Sequence, residues 1–118
     1  MQHFYFFIRC DGKYIKVDFK EIMYVEALRN YVKLHTSSKS YLVLISLRLI
    51  EKELPEHLFC RVHRSYIAGI THITSFDHEV VYIGNKTLPI NRGFKNSIAE
   101  KVKILVCPTR VKDFTDVL

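Results

Sequence analysis

The stretch Phe59-Cys60-Arg61-Val62-His63-Arg64-Ser65-Tyr66 decides how the chain is read. Its first half alternates apolar and polar side chains, Phe59 against Cys60 and Arg61 against Val62, which is the period of a strand. Its second half sets arginine, histidine, serine and tyrosine side by side. Arginine is rarely buried without a partner, so Arg61 and Arg64 are expected to point out of the core. Guanidinium groups beside a hydroxyl and an imidazole form a donor-rich surface. Such a surface suits phosphate oxygens, and also the N7 and O6 acceptors of guanine. The plainer alternative is a strand end whose charges are simply solvated.

Outward from this stretch the strand period persists. Phe4 to Arg9 is an aromatic strand, Asp11-Gly12 is a turn tolerant of positive φ, and Lys13 to Val17 pairs back. Asp18 opens a short helical turn, with Glu21 three residues on as in a capping box. Ile22–Ala27, Tyr31–Thr36 and Ser40–Leu44 are strands, separated by a loop at Leu28-Arg29-Asn30 and a turn at Ser37-Ser38-Lys39. The period changes at Ser46, an N-cap. Leu47, Ile50 and Leu54 then share one helical face, and Pro55 helps stop the helix.

Beyond Tyr66 the strand continues to Ala68, Gly69 breaks it, and Ile70–Phe76 is another. Asp77-His78 turns the chain, and Glu79–Ile83 pairs through Gly84-Asn85 with Lys86–Ile90. Phe94, Ile98, Val102 and Leu105 recur at helical spacing and predict a C-terminal amphipathic helix. The sum is a mainly β domain of nine or ten short strands in small sheets with two short helices, one of them C-terminal. It spans residues 1–107, followed by a tail over 108–118.

The totals agree. A chain of 118 residues fits one domain, and 48% apolar content excludes disorder. The formal net charge of +6 favours a polyanionic partner, and the basic residues gather late, with seven between Lys86 and Lys112 against one acid, Glu100. Three widely spaced cysteines, Cys10, Cys60 and Cys107, fit free thiols in a reducing, cytoplasmic compartment. No apolar run reaches the roughly 18–20 residues of a membrane span. The six histidines lack the spacing zinc needs, so no metal or other cofactor is expected. Ser65 has no nucleophile elbow, and no carboxylate sits near His63 in sequence, so no catalytic role is assigned.

Three basic, hydrogen-bonding clusters remain: Arg29-Asn30-Tyr31, Arg61 to Tyr66, and Asn91-Arg92-Gly93. Each lies at a strand end or loop, where it can reach a duplex groove. A competing reading is an RNA-binding or protein-interaction module whose sheet face carries Tyr24, Tyr31, Tyr41, Tyr66 and Tyr82.

Ile22-Met23-Tyr24-Val25-Glu26-Ala27 with Asn30-Tyr31-Val32, then Phe59 to Ile67, then Leu88-Pro89-Ile90-Asn91-Arg92 resemble, in order and spacing, the three blocks of the LytTR DNA-binding family. The family is typical of bacterial response regulators. The resemblance implies short sheets plus small helices, and a non-enzymatic transcription regulator that docks inter-strand loops into successive grooves and bends the duplex. It implies base contacts from Asn30, Tyr31, Arg64 and Arg92, and phosphate contacts from Arg61, His63, Ser65 and Lys95. The partners under consideration are double-stranded DNA and, beside it, a second copy of the chain on direct repeats. A receiver domain is not expected within this chain, because the strand–helix alternation it needs is absent. Gly69 departs from the asparagine many members carry there. Both residues accept left-handed φ, so the bend is expected to survive.

Overall fold

The computed structural model describes residues 3–105. β1 (Tyr5–Cys10) and β2 (Lys13–Asp18) form a two-stranded ribbon, joined by Asp11-Gly12 with φ of 51° and 79°. Its inner face carries Phe6, Ile8, Ile15 and Val17. A single 3-10 turn, Phe19–Glu21, follows. Asp18 makes no side-chain capping bond there: the Ile22 N–H closes the turn on the Phe19 carbonyl, leaving no first helical turn for a capping box.

The centre is a five-stranded antiparallel sheet in the order β5-β4-β3-β7-β6, built from β3 (Ile22–Leu28), β4 (Tyr31–Thr36), β5 (Ser40–Val43), β6 (Phe59–His63) and β7 (Tyr66–Gly69). Between β5 and β6 lies α1 (Leu47–Glu53), whose N-cap Ser46 accepts a bond from the Leu49 N–H at 3.2 Å. A third sheet, β10-β9-β8, contains β8 (Ile73–Phe76), β9 (Val80–Ile83) and β10 (Lys86–Pro89).

Consecutive residues of a strand point to opposite faces, and β3, β7 and β6 bury both. Val25, Val32, Leu34, Phe59 and Ile67 pack with Ile8 and Val17 of the ribbon and with Leu47, Ile50 and Leu54 from α1 and its C-terminal cap. Their neighbours Tyr24, Cys60, Val62 and Ala68 pack on the other side with Val81, Ile83, Leu88 and Ile98. Each buried aliphatic side chain contributes about 1.5–3 kcal/mol, so the central sheet is held from both sides. Burial also pushes the Cys60 thiol above its ordinary pKa, which keeps it protonated.

Three further expectations change. Ile70–His72 is a 3-10 turn rather than the start of a strand, and His72 Nε2 donates to the Lys20 carbonyl at 2.6 Å. The C-terminal segment is not an α-helix. After a 3-10 turn at Arg92–Phe94 it proceeds in turns, with three- and four-residue bonds mixed. The Ser97 hydroxyl engages the Phe94 carbonyl at 2.6 Å and the Arg61 carbonyl at 3.0 Å, competing with a regular helical ladder. Ile98 still reaches the core, whereas Leu105 is 91% exposed. The expected tail over 108–118, and Cys107 before it, lie outside the described residues.

Gly69 is the third change. Its backbone is extended at φ −81°, not left-handed. A Cβ there would lie 2.5 Å from the Ile22 carbonyl oxygen and 2.8 Å from that of Met23, so glycine is needed for close approach to β3. Gly69→Ala is expected to lower stability by about 1–3 kcal/mol, as overpacking does. Urea denaturation checks it, and an unchanged midpoint would refute the close-approach account.

Candidate nucleic-acid interface

β3 runs to Leu28, and β4 begins at Tyr31 directly opposite it. The two-residue turn between them is Arg29-Asn30, with Arg29 at φ 48°. β7 runs antiparallel to β3 and pairs Tyr66 with Glu26. The β6–β7 turn, Arg64-Ser65, therefore lies at the same end of the sheet as Arg29-Asn30. A bond from the Ala27 N–H to the Ser65 carbonyl, 2.8 Å, ties the two turns together.

Asn91 brings in the third cluster. Its backbone N–H donates to the Val62 carbonyl at 2.9 Å, and its side-chain Oδ1 accepts from the Arg64 N–H at 2.9 Å. Arg92 is the next residue. The three segments read as basic clusters thus meet at one end of the central sheet. Asn30, Tyr31, Arg64, Arg92 and Lys95 are all exposed there. Among the described residues the ion pairs are His35–Glu26 and Arg61–Glu51, so Arg64, Arg92 and Lys95 are not tied to carboxylates.

Arg61 behaves differently from expectation. Its Nε donates to the His63 carbonyl and its Nη2 to the Arg64 carbonyl, both at 2.7 Å. Its Nη1 meets Glu51 Oε1 of α1 at 2.9 Å, and the Phe94 ring lies 5.8 Å from its Cζ. The guanidinium is turned onto the turn it precedes rather than out into solvent, and its side chain is only 19% exposed. The register slips between Arg61 and His63, a bulge that sets the His63 ring beside Tyr66, with 5.4 Å between centroids.

His63 Nδ1 accepts from the Ser65 N–H at 3.0 Å, so a neutral ring carries its proton on Nε2. Burial lowers the pKa of His63 first, and the nearby Arg64 and Arg61 charges lower it further. With these contacts the Arg64 and Ser65 N–H groups and the His63, Arg64 and Ser65 carbonyls all have partners inside the protein. Half-buried Ser65 keeps its hydroxyl, which can donate or accept, and a neutral His63 ring keeps its Nε2–H donor.

Sequence reasoning missed Asn91 as the clamp on Arg64 and Glu51 as the partner of Arg61. An asparagine beside a turn is a cue for backbone capping. The capped residue is 27 positions away, however, and no local pattern carries that. Of the five tyrosines of the competing reading, Tyr31 and Tyr82 are exposed and Tyr24 is buried. Tyr24 is 6% exposed, stacked on His35 at 4.1 Å with Tyr66 at 6.3 Å, and burial raises its hydroxyl pKa. Among the described residues no three His, Cys, Asp or Glu side chains converge to hold a metal. Nor is any described helix long and apolar enough to cross a membrane.

The sequence profile of the LytTr DNA-binding domain matches residues 12–103. The chain belongs to this family. Among similar proteins, the Sensory transduction protein LytT of Bacillus cereus is 28% identical over 96 residues, covering 76% of this chain and 39% of LytT. LytT of Bacillus subtilis is 28% identical over 94 residues, 75% of this chain and 39% of that protein. The CO-responsive transcriptional regulator RcoM of Rhodospirillum rubrum is 35% identical over 60 residues, 51% of this chain and 25% of RcoM. The solved LytTr DNA-binding domain of a Bacillus cereus response regulator superposes with a TM-score of 0.69 at 22% identity, over 79% of this chain and 91% of that one. That likeness shows the fold. The chain spans about two fifths of the length of the LytT proteins it matches.

The His63 environment in this LytTr domain makes a pH prediction. A depressed folded-state pKa means the unfolded chain binds more protons just below pH 6.5, so stability is full above 6.5 and falls as acid is added. An NMR titration is expected to place the His63 midpoint below 6.5. His63→Gln is expected to reduce the loss of stability between about pH 7.5 and 5.5. A midpoint above 6.5 would contradict the assigned environment.

Proposed function

We propose that this LytTr domain binds duplex DNA sequence-specifically, as the output domain of a bacterial transcription regulator in the cytoplasm. Asn30, Tyr31, Arg64 and Arg92 face the bases. Lys95, Ser65 and the Nε2–H of His63 hold phosphates, and Arg61 supports the turn from behind. The observation that carries this is the Asn91 clamp: it joins the Arg64 turn to the Arg92 segment at the sheet end that also bears Asn30 and Tyr31. Among the described residues Arg64 and Arg92 have no carboxylate partner, and each guanidinium can take a bidentate guanine contact, worth about 1–3 kcal/mol of discrimination. Basic loops at the end of a sheet suit a groove, whereas Tyr24 is buried away from any stacked base. A second copy on direct repeats would double the footprint and fits a regulator that bends DNA.

Gel-shift titration with duplexes selected from a random library tests this reading. Specific affinity is expected to fall by about 10³-fold or more between roughly 50 and 200 mM salt, if six or more phosphates are engaged. Arg64→Ala and Arg92→Ala are expected to relax sequence choice. Lys95→Ala is expected to weaken all duplexes alike and to reduce the salt slope by about one. Tighter binding to single strands than to duplex would refute it.

A further inference from the structure

We propose that Glu51, on α1, is a positioning residue for DNA recognition: it holds the Arg61 guanidinium in the orientation that fixes the Arg64 turn. The proposal rests on the reading of Arg64 as a base-contacting residue. Arg61 grips the turn through two carbonyls, those of His63 and Arg64. Those two bonds come from one planar group, and Glu51 Oε1 holds its remaining corner at Nη1. The Phe94 ring lies against the same guanidinium. Without the carboxylate, a long flexible cation beside a DNA rim has a competing destination in the nearest phosphate. Moving there would release both carbonyls of the turn and, with them, the backbone that aims Arg64.

The sign of the effect separates this from ordinary electrostatics. A carboxylate near a DNA-binding rim repels phosphate, so its removal ordinarily tightens binding. Positioning through Arg61 predicts the reverse. Glu51 sits within α1, where alanine is the most favourable residue, so Glu51→Ala keeps the helix.

The test uses the full chain and a duplex selected by the wild-type protein from a random library, with a scrambled duplex beside it, in anisotropy titrations across salt. Glu51→Ala is expected to lower specific affinity by about 2- to 5-fold, the scale of a partly exposed ion pair. Scrambled-duplex binding is expected to hold or tighten and the salt slope to rise by up to about one, as the freed Arg61 takes a phosphate, and Glu51→Gln, which keeps an acceptor, is expected to recover most of the specific loss. In the free protein, the backbone amide NMR signals of Arg64 and Ser65 are expected to move in Glu51→Ala. Arg61→Ala is expected to cost about tenfold or more, and adding Glu51→Ala to it nothing further. Unchanged or tighter specific binding in Glu51→Ala, or unmoved Arg64 and Ser65 signals, would overturn the proposal. If the wild type showed no sequence preference, the DNA reading would fail instead, and the two amide signals would still decide whether Glu51 sets the turn.

Discussion

A sheet whose β3, β7 and β6 strands bury both faces must be covered there from both sides. That requirement places every other element of this domain. The residue pairs Tyr24/Val25, Phe59/Cys60 and Ile67/Ala68 send neighbouring side chains into opposite cores. The β1–β2 ribbon and α1 cover one face. The β8–β10 sheet and the segment through Ile98 cover the other. The layers that close the sheet then meet around the β6–β7 turn. Glu51 comes from α1, Asn91 from the residues after β10, and Ala27 from the sheet itself.

The energetics favour a rigid turn. Fixing the backbone of one residue costs about 1–2 kcal/mol. A turn left free over His63, Arg64 and Ser65 would have to be ordered on binding, at a cost larger than one good arginine–guanine contact, about 1–3 kcal/mol. Here the ordering is done by folding. The turn's bonds go to Arg61, Asn91, His63 and Ala27, all in the free protein. The surface that results divides its labour. Among the described residues, Arg64 and Arg92 stand on the rim without carboxylate partners, and Arg61, paired with Glu51, stands behind it.

Membership of the LytTr family gives these contacts a setting without dictating them. At 22% identity to the solved domain, what is shared is the scaffold. Gly69, just past the second block, shows how a resemblance can mislead. The sequence suggested a bend tolerant of left-handed φ, whereas β7 is extended there and the glycine admits two carbonyls of β3.

What the sequence determined by itself was everything carried by short-range pattern. Alternation marked the strands, and Asp11-Gly12 and Gly84-Asn85 marked hairpins because positive φ is a local property. The Ser46 cap and the Leu47, Ile50, Leu54 face marked α1. The three basic clusters were visible as strings, and so was the family. Only the tertiary structure decided which charges face outward. Arg61 and Arg64 look alike in sequence, three residues apart; one is held by Glu51 and two carbonyls, and the other is exposed. Helical spacing from Phe94 to Val102 gave turns of mixed three- and four-residue bonds, within which Ser97 bonds the Arg61 carbonyl 36 residues away. In each case the partner lies far along the chain, and only folding brings it within bonding distance.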